Sequence, residues 1–190
     1  PTPRPTNTEL MSASVLKSTM IMQPQDRNRH NFMIFGGFLL KQTFELAFSC
    51  AAAFSHARPN FVSLDPSTFD HSVPVGSILY LRATVAYTEP LERQPRDGGG
   101  GGGGGGTPYT KLRVRVDAQV RNVPHASRQQ TGRFHYTFLV PKDVEVMPKD
   151  YGEFMVWTDA RRRSENAAAA VSLGAEELSA LRGLTDSVTE

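Results

Sequence analysis

The sequence predicts an α+β domain in which one long, almost wholly apolar helix packs against an antiparallel sheet. Three observations carry this. From Gly36 to Phe54 the residues Phe38, Leu39, Leu40, Phe44, Leu46, Ala47, Phe48, Ala51, Ala52 and Phe54 leave only a narrow polar stripe, Lys41, Gln42, Glu45 and Ser49, at near-helical spacing. A stripe that narrow predicts a helix wrapped on most sides. Lys111 to Val120 alternates strictly, with Lys111, Arg113, Arg115, Asp117 and Gln119 on one face and Leu112, Val114, Val116, Ala118 and Val120 on the other. That is the pattern of a half-buried antiparallel strand. Gly76–Thr88 and Gly132–Val140 are rich in β-branched and aromatic residues, as further strands require.

Along the chain, residues 1–13 are polar and Pro-rich and are expected to be a linker. A start at Pro1, with three prolines in the first eight residues, is expected of a piece of a longer polypeptide. A short strand is expected within Val15–Met22. The segment Gln23 to Asn31 is too polar and turn-prone for a core and is a candidate functional loop. Arg58-Pro59 closes the helical segment, and Asn60–Leu64 reads as a short strand. Asp97 precedes nine glycines, Gly98 to Gly106. A glycine homopolymer has nothing to pack, so residues 97–107 are expected to be a disordered hairpin tip; a phosphate-binding loop would need spaced glycines between a strand and a helix. Tyr151 to Arg163 is expected as a helix or extended cap that closes the domain, 14–163. Residues 164–190 form a tail with a last short helix over Ala175–Leu181.

Composition limits the function. With 39% hydrophobic residues, 190 residues suffice for one domain with a core of roughly 100–150 residues plus flanks. Twenty-one basic against 19 acidic side chains give a formal charge of +2, which does not announce a nucleic-acid binder. Any anionic ligand must be met by a local patch. The single cysteine, Cys50, lies in an apolar run, which excludes a disulfide framework and a cysteine metal site. The longest apolar stretch, Phe44 to Phe54, falls far short of the roughly 20 residues that span a bilayer.

Several runs together resemble the hotdog-fold acyl-CoA thioesterases, and most of all the second hotdog domain of the mitochondrial tandem enzymes. They are Gln23-Pro24-Gln25, Arg27-Asn28, Phe35-Gly36-Gly37-Phe38-Leu39 with Glu45-Leu46, Val73-Pro74-Val75-Gly76-Ser77, Tyr87-Thr88, Phe134 to Phe138 and Tyr151-Gly152-Glu153. The resemblance covers about residues 15–163. It implies a hotdog fold, a long central helix wrapped by an antiparallel sheet, and hydrolysis of fatty acyl-CoA to free acid and CoA. It implies no cofactor, since coenzyme A is part of the substrate, and no metal. It also implies mitochondrial residence and a partner, either a second hotdog domain of the parent protein or a second copy of this chain, with the reaction centre between the two.

Thioester hydrolysis needs a polarised carbonyl and a positioned nucleophile. Amides near Gly36, Gly37 and Phe38 at the helix start are candidates for the oxyanion site, aided by the helix dipole; alternatively the glycines only let the helix approach the sheet. The resemblance implies a water-positioning asparagine in the preceding loop, for which Asn28 and Asn31 both remain candidates, with a turn-forming role as the alternative. It also implies an acid seven positions past the second glycine. That position is Phe44, and the nearest carboxylate, Glu45, is turned about 100° away on a helix. The expectation is that this domain contributes the asparagine half of the site and its partner the carboxylate. His30 lacks a readable carboxylate partner, His135 lies between Phe134 and Tyr136 in a strand, and Cys50 is expected to be buried. Phe38 is a candidate for the acyl group; Arg113 and Arg115, and Arg161 and Arg162 with Arg163, are candidates for the CoA phosphates. A catalytically silent partner domain and a hotdog hydratase or dehydratase are the competing functions, and the Asp and His pair of the latter is not found.

Overall fold

The computed structural model describes residues 5–29, 33–67, 69–91, 108–122 and 127–186. The poly-glycine segment, His30 and Asn31 lie outside them. The elements, in order, are β1 (Thr8–Leu10), a 3-10 turn (Met11–Ser14), β2 (Leu16–Ile21), a second 3-10 turn (Pro24–Asp26), α1 (Gly36–Ser55), β3 (Asn60–Leu64), β4 (Ile78–Leu91), β5 (Tyr109–Asn122), β6 (Ser127–Val140), β7 (Glu145–Met147) and α2 (Tyr151–Asp186). Five strands form one sheet in the order β2-β4-β5-β6-β3, and every neighbouring pair is antiparallel.

Alternation decides what this sheet presents to each side. On the inner face Leu79, Leu81, Ala83 and Val85 of β4 line up with the even-numbered apolar residues of β5 and with Phe134, Tyr136 and Phe138 of β6. α1 lies on this face and buries Leu39, Thr43, Ala47, Cys50, Ala51 and Phe54, one stripe at helical spacing. The hydroxyl in that stripe is satisfied: Thr43 Oγ1 and the Tyr136 hydroxyl share a 2.7 Å hydrogen bond. α1 ends at His56, whose left-handed φ of 50° turns the chain out before Pro59.

The outer face is polar and partly covered by α2. Asp150 Oδ1 accepts the Glu153 N–H at 2.9 Å while Glu153 Oε2 accepts the Lys149 N–H at 2.7 Å, a capping box that starts this helix. Trp157 packs edge-on against Tyr87 at 5.4 Å, Ala160 is buried, and Ser164 Oγ donates to Glu89 Oε2 at 2.9 Å. Among the described residues no helix is long and apolar enough to cross a membrane.

Two expectations are corrected. Residues 8–13, expected within the linker, are structured: β1 pairs in parallel with β7, and Met11 is 1% exposed. Three strand residues and one anchoring methionine are too short a run to show periodicity. The tail, expected to break after Arg163, instead continues α2 without interruption to Asp186, because Ser164 to Ala170 contains nothing that stops a helix.

Candidate active site

The loop before α1 is a closed hairpin. Asn28 N–H donates to Met33 O and Phe35 N–H to Asp26 O, both at 2.8 Å, and Arg27 bridges Ile34. Ile34 N–H reaches Val73 O at 2.8 Å, which ties the hairpin to the Val73–Gly76 segment. Asn28 is thereby held opposite Met33, just ahead of the helix. Phe35 is the N-cap residue and offers no side-chain cap.

Phe35 O accepts from Phe38 N–H at 3.0 Å and from Leu39 N–H at 3.3 Å. The Phe38 amide is therefore committed within the helix and is removed from the oxyanion candidates. The amides of Gly36 and Gly37 precede the first intrahelical donor, Phe38 N–H, and so remain the free pair at the helix end. A Cβ at Gly36 would lie 3.3 Å from the Phe69 ring, and one at Gly37 would collide with the Phe35 ring. What the glycines admit is therefore two aromatic rings beside the helix end, and not the sheet backbone. Met33, Phe35 and Phe69 are 39%, 59% and 38% exposed, so the helix end carries an apolar collar open to the outside. Phe69 is anchored from behind by Phe134 at 5.4 Å. Phe38 itself is half-buried against the core.

Further along α1, Phe44 contacts Phe48, Phe61, Tyr136 and Phe138 at 6.3, 5.4, 5.9 and 6.1 Å between ring centroids. The position at which the resemblance implies an acid is part of an aromatic cluster. Glu45 points to solvent and lies 3.8 Å from Lys41 on its own helix. Cys50 is buried and donates to Ser14 O, and burial pushes its thiol pKa up to about 12, so it is no nucleophile at neutral pH.

The arginines are not brought to the helix start. Arg113 is 2% exposed and bonded to Asp65 Oδ2 at 3.0 Å, which withdraws it from any solvent-borne phosphate. Alternation put it on the polar face; α2 and the segment after β3 cover that part of the face. Arg115 lies on the same outer face, clamped to Asp117. On α2, Arg161 pairs with Glu165 and Arg162 with Asp159, each on its own helix. His135 is also beneath α2; burial, and after it the Arg163 cation, lower its pKa to about 4. Among the described residues no three His, Cys, Asp or Glu side chains converge as a metal-ligand set.

No family model matches the chain. It is 35% identical over 170 residues to the mitochondrial acyl-coenzyme A thioesterase 9 of Bos taurus, covering 89% of this chain and 34% of that protein. It is also 35% identical over 135 residues to the chloroplastic acyl-coenzyme A thioesterase 2 of Humulus lupulus, covering 71% of this chain and 28% of that protein. The chain thus spans about a third of the length of the curated relatives it matches. Among solved structures, an acyl-CoA hydrolase of Staphylococcus aureus, obtained with butyryl-CoA and CoA, superposes with a TM-score of 0.73 at 23% identity, covering 92% of this chain and 98% of that one. A hexameric acyl-CoA thioesterase gives 0.72 at 23% identity over 88% of this chain and 99% of that one. The order of helix and strands, the Gly36-Gly37 helix start and these likenesses in sequence and fold agree: the chain belongs to the hotdog acyl-CoA thioesterases.

Proposed function

We propose that this chain is one half of a fatty acyl-CoA thioesterase site, supplying the oxyanion amides of Gly36 and Gly37 and a loop asparagine, while a second hotdog domain supplies the carboxylate. The single observation behind this is the pair of free amides at the α1 N-terminus, ringed by the exposed Met33, Phe35 and Phe69. Two backbone donors at a positive helix end stabilise the charge that develops on a thioester carbonyl oxygen. Asn28 holds the attacking water, which adds to the carbonyl carbon while the partner's carboxylate takes its proton; the C–S bond then breaks and CoA leaves as the thiol. The apolar collar takes the acyl chain where it meets the carbonyl and excludes bulk water from it. Asn31 is the alternative for the water-positioning role.

Support for the shared site comes from Phe44, held in an aromatic cluster, and from β3, an edge strand on which Phe61 and Val62 are 52% and 54% exposed. An unpaired edge carrying large apolar side chains is a surface made to be covered. The mitochondrial relatives support mitochondrial residence for the parent protein. The bound CoA of the staphylococcal neighbour and the hexameric neighbour support acyl-CoA as ligand and an oligomer as the working form.

The test is hydrolysis of butyryl- and palmitoyl-CoA by this chain alone and mixed with the hotdog domain proposed to join it. The expected result is activity in the mixture at least about 100-fold above the chain alone, reduced about tenfold or more by Gly37→Ala, which displaces the Phe35 ring. Equal rates with and without the second domain would sink the shared site. Phe44 also favours a second reading, a silent domain that only completes its partner's site. It predicts a mixture active but indifferent to Gly37→Ala.

A further inference from the structure

The start of α2 and the β1–β7 pair enclose a groove that the thioesterase reading does not use. Pro5, Met147, Pro148, Phe154 and Trp157 line it, and its volume is about 220 Å³. The Phe154 and Trp157 rings, neighbours on one helix face, lie nearly parallel, with 13° between planes and 6.1 Å between centroids. Trp157 is fixed against the sheet by Tyr87 at 5.4 Å, and the Arg161 guanidinium lies 5.6 Å from its ring centre. Met147 and Phe154 are 39% and 48% exposed, so this wall is set in place yet open to what enters. The other wall belongs to the chain's entry into the domain. Pro5 O accepts the Thr8 N–H at 3.2 Å, and Asn7 O accepts the Glu145 N–H at 2.8 Å. Glu145 borders the groove and forms no ion pair among the described residues; its Oε2 accepts a long 3.4 Å bond from the Thr8 hydroxyl.

These surroundings specify an occupant. The volume is below the roughly 300–1,000 Å³ of small-molecule pockets. Apolar side chains on both walls offer little to a backbone N–H, so a segment buried here should carry few of them. The chain opens Pro1-Thr2-Pro3-Arg4-Pro5, in which three of five residues have no N–H and a fixed φ. Proline-rich runs favour the extended polyproline form, which aromatic-lined grooves hold at low entropic cost. In that form four residues span about 12 Å, enough to pass both rings from Pro5. Arg4 brings the cation that Glu145 lacks. Joined directly to Pro5, the segment also outcompetes a separate peptide of the same composition.

We infer that residues 1–4 bind along this groove, Pro3 against the Phe154 and Trp157 rings and Arg4 paired with Glu145, and so strap the start of α2 to the β1–β7 pair. The stretch leading into the domain is then a structural partner of its last helix. The inference stands apart from the hydrolysis proposal, since it needs neither a substrate nor a second domain.

Trp157 is the chain's single tryptophan, so its fluorescence reports on the groove alone. The experiment is acrylamide quenching of the whole chain and its variants at low salt. Pro3→Gly raises the quenching constant about threefold, because it loosens the free segment and removes a ring contact. Arg4→Glu and Glu145→Arg each raise it about twofold, and the two together restore the original value. That rescue separates a specific pair from a general loosening of the fold. A nitroxide on Thr2→Cys, confined to that position because Cys50 is buried, broadens the Trp157 indole N–H signal, and less so when Glu145→Arg is added. The inference is overturned by quenching indifferent to all three substitutions, by failure of the paired reversal to rescue, or by an indole signal that the nitroxide leaves sharp. A quenching constant that falls as the chain is concentrated gives the groove to a second copy, and equal shielding of Trp157 by decanoate in the original chain and in Arg4→Glu gives it to an acyl chain; either overturns it as well.

Discussion

The two faces of the same sheet are buried in different ways. Under α1 the inner face is apolar, and its one hydroxyl pair, Thr43 and Tyr136, is mutually satisfied. Under α2 the outer face buries Arg113, His135 and Thr137, and Arg113 Nε, His135 Nε2 and Thr137 Oγ1 find no hydrogen-bond partner among the described residues. A buried polar atom without a partner costs on the order of 1–3 kcal/mol. The difference teaches that α1 and the inner face hold the fold, while the outer face gives up stability to keep charge in place.

That contrast can be broken at three points. The largest effect is expected from Phe138→Ala. This residue is fully buried and packs against Phe44, Phe48, Phe61 and Tyr136, so its loss should cost about 3–5 kcal/mol in urea unfolding. A cost below about 1 kcal/mol would show that the inner face is not where stability resides.

The second concerns pH. Burial holds the His135 pKa near 4, below its ordinary value of 6.5, so between these values the unfolded chain binds the proton and the folded chain does not. The contribution of neutral His135 is full above about pH 6.5 and is lost as pH falls towards 4. It amounts to at most on the order of 3 kcal/mol across that window. His135→Gln should flatten the unfolding free energy between pH 4 and 6.5 while leaving its value at pH 8 within about 1 kcal/mol. An unchanged slope would place the titrating group elsewhere.

The smallest effect is expected at the solvent side of α1. Glu45→Gln removes an exposed pair with Lys41 and should shift stability by no more than about 0.5 kcal/mol. Hydrolysis by the two-domain mixture should also be unchanged. A rate loss of 100-fold would make Glu45 the missing acid and would collapse the argument built on Phe44.

The sheet was largely legible in the sequence because alternation is a local property. Lys111 to Val120 announced β5, and the narrow polar stripe announced α1 over nearly its full length. What alternation cannot convey is what covers a face. Arg113 reads as a surface cation, yet Asp65, distant in sequence, reaches it once the chain turns back along β6. Bulges shift the rest: the β4 register slips between Val85 and Tyr87 and thereby turns Tyr87 towards α2. At the site, Gly36-Gly37 was readable as a helix start, but the rings of Phe35 and Phe69 that lie against it were not, because no spacing rule connects residue 69 with residue 36. The capping box of Asp150 and Glu153 was present as a local signal and accounts for the start of α2; the length of that helix depends on the uninterrupted run that follows.

The bare edge of β3 bears on concentration. A domain whose sheet ends in unpaired amides and two exposed apolar side chains meets a free partner only as often as dilution allows. The same partner on a short flexible tether would meet it at an effective concentration on the order of millimolar, whatever the abundance of the protein. Carrying both hotdog domains in one polypeptide would keep the edge occupied in a cell that makes few copies, and would spare that cell a sticky strand in the interval before assembly.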